Sequence, residues 1–268
     1  MSSSDAAPDP LRPDRGRAGQ AAVSVDLDPV PRSALAIGAH PDDVEFGCGA
    51  TLAKWAAAGC VVHHLVLTDG SKGTWDVEAD IEALVALRRV EQAEAAKRLG
   101  ATGQVAFLGV TDGELQSDLT TRSAVTEWIR RLEPAVLLGH DPWQRYRLHP
   151  DHRHAGWLAV DGVVAARDPF FFPEHDLDHH RPDWLLLFEA DEPDHVEDVT
   201  GFATAKVEAL LAHESQFETT MMIGIDHTGV HDADQRAAFA QGEMIRLREM
   251  GALAGIELGE AYRKLDLR

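Results

Sequence analysis

Two short segments set histidine and aspartate close together: AHPDD at residues 39–43 and HPDH at 149–152. Imidazole nitrogens and a carboxylate are the usual ligands of a catalytic divalent-metal site that keeps one position open. His40 and Asp43 stand three residues apart and can face one centre from a single tight turn. Pro41 fixes its own φ and biases His40 away from the helical region, which stiffens that turn. His149 and His152 have the same spacing, and only one of them is needed to complete two histidines and one carboxylate. Either segment alone reads equally well as a turn or a helix cap, since aspartate serves both. Their conjunction points to a site.

The elements around them decide whether they can meet. Short Val/Ile/Leu-rich runs lie at 33–39, 60–68, 104–110, 135–140 and 183–190. Their continuous apolar character predicts strands buried on both faces. Helical patterns fill 49–59, 80–100 and 118–134, with Gly100 as a stop and Asp118 as an N-cap. The alternation predicts an α/β fold, a Rossmann-like, doubly wound, mostly parallel sheet with helices on both faces. Ligands of such sheets bind at the carboxyl ends of the strands, where strand order reverses. That crevice falls between the first and fourth runs, and the two His/Asp segments follow those runs. Further helical patterns at 201–214 and 232–253 predict a C-terminal helical extension. Residues 1–32, rich in Ser, Asp, Pro, Arg and Ala, read as a disordered tail, and 33–268 as a single domain.

Composition excludes several classes. A net charge of −20 repels nucleic acid and anionic membranes. No run of about 18 apolar residues is present to span a bilayer. Residues 1–32 lack the apolar core of a secretory signal, and two cysteines, Cys48 and Cys60, imply no disulfide framework, so a cytoplasmic location is expected.

The quoted segments resemble the LmbE-like (PIG-L) family of zinc-dependent N-acetylglucosaminyl deacetylases, which carry A-H-P-D-D early and H-x-D-H later. VEFGCGATLAKW (44–55), RRVEQAEAAKRLGA (88–101), LGVTDGEL (108–115) and KVEALLAHESQ (206–216) are also similar to it, so the resemblance covers roughly residues 33 to 216. Family members often have Glu after the second Asp, where this chain has Val44 and then Glu45.

The resemblance implies zinc on His40, Asp43 and His152, Asp42 as general base and His149 as the group that stabilises the oxyanion. It implies hydrolysis of an N-acetylated amino sugar, either N-acetylglucosamine or a conjugate of it. A different amide, such as a thiol–sugar conjugate or an antibiotic intermediate, is the alternative, and a non-catalytic sugar-binding protein a further one. Ferrous iron suits the same donor set. Asp151 is expected to hydrogen-bond His149, fix its ring and raise its pKa. Arg88 is expected to contact substrate, with an i,i+3 pair to Glu91 as the plainer reading. Asp69, Gly70, Ser71, Lys72, Gly73 and Asp112 sit in loops at the same sheet edge. Loops 71–80 and 168–182 are expected to set substrate choice. His213 reads as a structural histidine on a helix, His63 and His64 as strand residues, and His175, His179 and His180 as solvated loop residues or a subunit contact. A homo-oligomer fits the composition as well as a monomer does.

Overall fold

Alternate residues of each central strand feed opposite layers. Ala34 and Ala36 pack with Trp55, Leu99 and Ala209, whereas Leu35 and Ile37 pack with Val125, Ile129 and Leu158. A strand with apolar residues on both faces is stable only when helices cover both. The computed structural model describes residues 23–224 and 233–268. It contains β1 (Ser24–Val25), β2 (Ser33–Gly38), α1 (Asp43–Ala57), β3 (Val61–Thr68), α2 (Ile81–Arg98), β4 (Val105–Val110) and α3 (Leu119–Leu132). There follow β5 (Val136–His140), α4 (Pro150–Ala166), β6 (Trp184–Phe188), β7 (His195–Asp198), α5 (Ala203–Leu210), α6 (Ala233–Ala252) and β8 (Gly259–Asp266).

The strands form one sheet in the order β1-β7-β8-β6-β5-β2-β3-β4. Every pairing is parallel except those of β8, which runs antiparallel to β6 and β7. The chain proceeds outward from β2 through β3 to β4, then returns to place β5 on the other side of β2. The reversal therefore lies between β2 and β5, as the doubly wound reading requires.

The C-terminal third is more than a helical extension. Both β7 and β8 belong to the sheet, and β8 supports the helix that leaves β2. Helix α1 has non-helical torsions at Cys48 (φ −151°). The Glu260 carboxylate from β8 accepts Ala50 N–H at 3.2 Å and Thr51 N–H at 2.7 Å just beyond that break. Buried Lys206 donates to Glu260 at 2.8 Å and to the Phe46 carbonyl at 2.6 Å. Gly47 lets α1 approach the sheet, since a Cβ there would lie 2.6 Å from the Phe188 ring.

Residues 1–22 of the expected tail lie outside the described residues. Residues 23–32 depart from that expectation and pack: Ser24–Val25 pair with β7, and Leu27 is buried. Their anchor is Glu197, a fully buried carboxylate. It accepts Leu27 N–H at 2.8 Å, Lys54 Nζ at 2.9 Å, Trp55 Nε1 at 3.1 Å and His195 Nε2 at 3.0 Å. A buried carboxylate survives only with such saturation.

Replacing Glu197 with Gln is expected to destabilise the fold by about 1–3 kcal/mol, because four donors lose the charged acceptor they share and Lys54 is left with Asp26 alone, at 2.6 Å. Urea unfolding checks this. Burial pushes the Glu197 pKa up, but His195 and Lys54 outweigh it and hold the group below its ordinary value. The stabilisation is therefore complete above the unfolded carboxyl's pKa of about 4.3 and is lost as pH falls through the lower folded one. The variant should show a shallower loss of stability over that acid range.

Candidate metal centre

Both His/Asp segments sit at the carboxyl ends of β2 and β5 and open the helices that follow. Asp43 is the first residue of α1, and its carboxylate accepts His40 N–H at 2.7 Å. Asp42 caps that helix in a left-handed backbone conformation with φ 99°. An aspartate there is strained, and such strain concentrates at functional sites. The backbone N–H of Asp42 is held by buried Gln92 Oε1 at 3.0 Å. In the second loop His149 is the N-cap of α4, Pro150 its first residue, and Asp151 and His152 complete the first turn.

His40, Asp43 and His152 converge. His40 Nδ1 lies 3.3 Å from Asp43 Oδ2, His152 Nε2 lies 3.3 Å from Asp43 Oδ1, and the two nitrogens are 3.2 Å apart. A tetrahedral ion with bonds of about 2.0–2.1 Å separates its ligand atoms by about 3.3 Å, so the two nitrogens, 3.2 Å apart, with the Asp43 carboxylate, which meets each of them through a different oxygen, suit one small divalent cation. Overlapping donor groups surround them: His40 with His149 and His152, Asp43 with His140 and His152, and His40 with Asp112 and Asp151. One contact opposes the fit. Arg147 Nη1 lies 3.0 Å from His152 Nδ1. A cation on Nε2 leaves a proton on Nδ1, so the arginine must then give way.

Outer contacts orient these groups. His40 Nε2 lies 3.2 Å from Asp151 Oδ2 and 3.3 Å from Asp112 Oδ1. Both neighbours accept only, so the proton sits on Nε2 and Nδ1 offers its lone pair inward. Burial opposes the charge on Asp43, but His152 and His140 hold its carboxyl well below the usual range.

Asp42 lies beside the set without joining it. Burial raises its pKa to about 6, opposed by Arg88, whose Nη2 is 3.6 Å away, while the Asp43 charge adds to the rise. His149 stands at the exposed lip, its ring 4.6 Å from that of His40. Burial, then His40 and His152, lower its pKa.

One expected contact differs. Asp151 faces His40 and the loop after β4, where it accepts Gly113 N–H at 2.6 Å and Leu115 N–H at 3.3 Å. Its carboxylate is spent there, so His149 meets only the Asp151 backbone N–H, at 3.3 Å to Nδ1, and its pKa falls rather than rises. Arg88, 3% exposed, lines the cleft over the site from α2. It donates to the Gly70 carbonyl at 2.8 Å and the Pro41 carbonyl at 2.7 Å, so its hydrogen bonds serve the loop that carries Asp42.

The remaining candidates divide. Lys72, Gly73 and Asp112 line the cleft over the site, whereas no residue of 168–182 does. That loop is held elsewhere by buried Arg130, which donates to the carbonyls of Asp168, Phe171 and Phe172, with His175 on Ser123 at 2.8 Å. His213 is buried but precedes a 3-10 turn rather than lying on a helix, and faces Glu45 at 3.4 Å. His64 packs against Gln92 at 3.1 Å, and His63 accepts Gln104 N–H at 2.9 Å.

His140, Glu189 and Gln92 belong to neither His/Asp segment, yet they join the site. His140 ends β5 and is 1% exposed, with Nε2 3.2 Å from Asp43 Oδ2 and Nδ1 3.2 Å from Glu189 Oε2. Burial would lower its pKa, but Asp43 and Glu189 raise it, so the ring is drawn toward the cation. A signal was present: LLGH (137–140) ends an apolar run in histidine at the reversal point, as LAIGAH (35–40) does.

Residues 35–162 match the PIG-L family model, described as GlcNAc-PI de-N-acetylase. The chain is 35% identical over 189 residues to a diacetylchitobiose deacetylase of Thermococcus kodakarensis, covering 69% of this chain and 70% of that protein. Its fold superposes on N,N'-diacetylchitobiose deacetylase from Pyrococcus horikoshii with a TM-score of 0.78 at 28% identity, covering 88% of this chain and 84% of that one. A 4-oxalmesaconate hydratase of Pseudomonas putida is 29% identical over 171 residues, covering 62% of this chain and 64% of the other.

His140→Gln is expected to weaken divalent-metal affinity by about 10–100-fold, the usual effect of removing an outer partner of a ligand. Calorimetric titration of chelator-stripped protein measures it. Unchanged affinity would show that Asp43 needs no such support.

Proposed function

As this chain belongs to the PIG-L family of de-N-acetylases, we propose that it is a metal-dependent hydrolase removing the acetyl group from an N-acetylated amino sugar. One observation carries the reading. A buried carboxylate, Asp42, stands free of the donor set next to Asp43 and lines the same cleft as His149. A site that only bound a ligand needs no such acid.

His40, Asp43 and His152 would hold the ion, with zinc the first choice from the two-histidine, one-carboxylate set and ferrous iron the alternative. When bound, that ion supplies Lewis acidity, polarising the acetyl carbonyl and making its water a nucleophile at neutral pH. Asp42 takes a proton from the attacking water at its carboxylate. A pKa near 6 in the metal-free protein suits a group that must accept that proton and then yield it to the leaving nitrogen. The products are acetate and the free amine.

His149 acts as a neutral donor in this scheme. The Asp151 N–H directed at Nδ1 keeps a lone pair there and leaves the proton on Nε2. That N–H can meet the carbonyl oxygen as charge grows on it, a contribution of about 3–4 kcal/mol for such donors. Asp151 and Asp112 position His40, and Arg88 and Gln92 position Asp42.

No helix among the described residues is long and apolar enough to cross a membrane. Cys48 and Cys60 are both unpaired and buried, which fits the cytoplasmic assignment.

Asp42→Asn is expected to lower kcat by about 10²–10⁴ while metal content stays at the parental level. Acetate release from N-acetylglucosamine, its β-linked dimer and its inositol conjugate, with and without chelator, is the assay. Asp42 works as the carboxylate, so activity is lost as pH falls through its pKa. A neighbouring dication lowers that pKa, which places the acid limb of kcat/KM at or below about pH 6. Parental turnover in the Asn variant would end the assignment. Water addition to an unsaturated acid with no acetate released would move the chain to the chemistry of its hydratase relative.

A further inference from the structure

A second polar set touches the backbone of the base from outside the cleft. Glu45, His64, Gln92 and His213 are each 0% exposed, and none of them lines the cleft. They come from α1, β3, α2 and the turn after α5. A buried polar group costs free energy unless it is hydrogen-bonded, and a buried charge costs more.

Gln92 spans the set. Its Oε1 accepts Asp42 N–H at 3.0 Å. Its Nε2 donates to Glu45 Oε1 at 2.7 Å and to His64 Nδ1 at 3.1 Å. The two ends of a side-chain amide have the same shape, so its partners decide which way it turns. A carboxylate only accepts. Glu45 therefore keeps Nε2 on its own side and leaves Oε1 for Asp42. The other oxygen of Glu45 stands 3.4 Å from His213 Nε2, and neither atom has a hydrogen-bond partner among the described residues. The segment that carries His213 is tied to α2, where Glu91 accepts Ser215 N–H at 2.8 Å and Ser215 Oγ–H at 2.6 Å.

Asp42 needs this hold. Its φ of 99° is left-handed, and a strained residue stays so only where its surroundings over-determine it. The grip on its N–H fixes the peptide from which its carboxylate projects beside Asp43. We propose that Glu45 is a positioning residue for the base, acting through the Gln92 amide whose orientation it sets. This rests on the deacetylase reading above.

The test is a swap. Gln92→Glu sets one carboxylate against another and removes the donor to Glu45. Adding Glu45→Gln restores the pairing: the amide now at position 45 donates to the carboxylate now at 92, whose other oxygen accepts Asp42 N–H. The charge of the buried set is conserved. Zinc-loaded Gln92→Glu should release acetate from the β-linked N-acetylglucosamine dimer with kcat about 10²-fold lower, the scale of a misplaced catalytic group, and KM within about three-fold of wild type. Its zinc Kd should be unchanged. The double variant should recover about ten-fold or more of the lost kcat. Parental kcat in Gln92→Glu, or no recovery in the double variant, overturns the proposal. A matching rise in zinc Kd would assign the set to the fold as a whole and also overturns it. Where Gln92→Glu does not fold, Gln92→Met replaces it as the broken reference, since it removes donor and acceptor without adding charge, and the same results decide. A second arm needs no turnover. Exchange of the Asp42 amide proton in metal-free protein, read by NMR, should be about ten-fold faster in Gln92→Glu and slow again in the double variant. Unchanged exchange overturns the proposal. If wild type releases no acetate, the deacetylase reading fails, while exchange still decides whether Glu45 acts through Gln92 on Asp42.

Discussion

The structure turns on three side chains drawn together: His40 Nδ1 and His152 Nε2 stand 3.2 Å apart, and each lies 3.3 Å from a different oxygen of the Asp43 carboxylate. Two lone-pair nitrogens facing each other at that distance repel unless a proton or a cation lies between them. The fold imposes the approach through two loops at the strand-order reversal and through two helix starts that leave little freedom. Asp43 is committed by its bond to His40 N–H, and His152 by the first turn of α4. The site is thus organised by the backbone before any ion arrives, which is what preorganisation means energetically.

Around this set lies a second ring of acids and cations whose effect is to fix tautomers and charge. Asp151 and Asp112 accept from His40 Nε2–H, and His140 braces Asp43 with Glu189 behind it. Asp42 is left as a carboxylate with no strong donor of its own, because the Arg88 hydrogen bonds go to the Pro41 and Gly70 carbonyls instead. Burial without full compensation is what raises its pKa. The strained backbone at Asp42 is tolerated because Gln92 and Arg88 both hold that turn.

The C-terminal strand ties these parts to the rest of the chain. Through Glu260, β8 satisfies the amides exposed where α1 breaks, and through Lys206 it reaches the carbonyl of Phe46, three residues past Asp43. Helix α6, which precedes β8, lines the cleft through residues such as Phe239 and Met250. One segment therefore steadies the helix that opens with Asp43 and lines the pocket.

Much of this was legible in residue order. Runs such as LAIGA and AVLLGH mark buried parallel strands, because two covered faces demand continuous apolar residues. AHPDD and HPDH place their chemistry at strand ends, since both the spacing and the cap geometry are local. What the tertiary structure alone decided is which partner each polar group chose. Asp151 holds His40 rather than its near neighbour His149, and Arg88 serves backbone carbonyls. His140 braces Asp43, and loop 168–182 lies away from the cleft. Strand β8 was hidden because GEAYRKLD alternates polar and apolar residues weakly and gains its place from β6, β7 and Glu260's role in α1. A side chain's hydrogen bond goes to whichever donor or acceptor the folded chain brings within about 3 Å. Residues far apart in sequence compete for it on equal terms once packed, so local spacing determines which residues can do chemistry, and packing determines what each of them does.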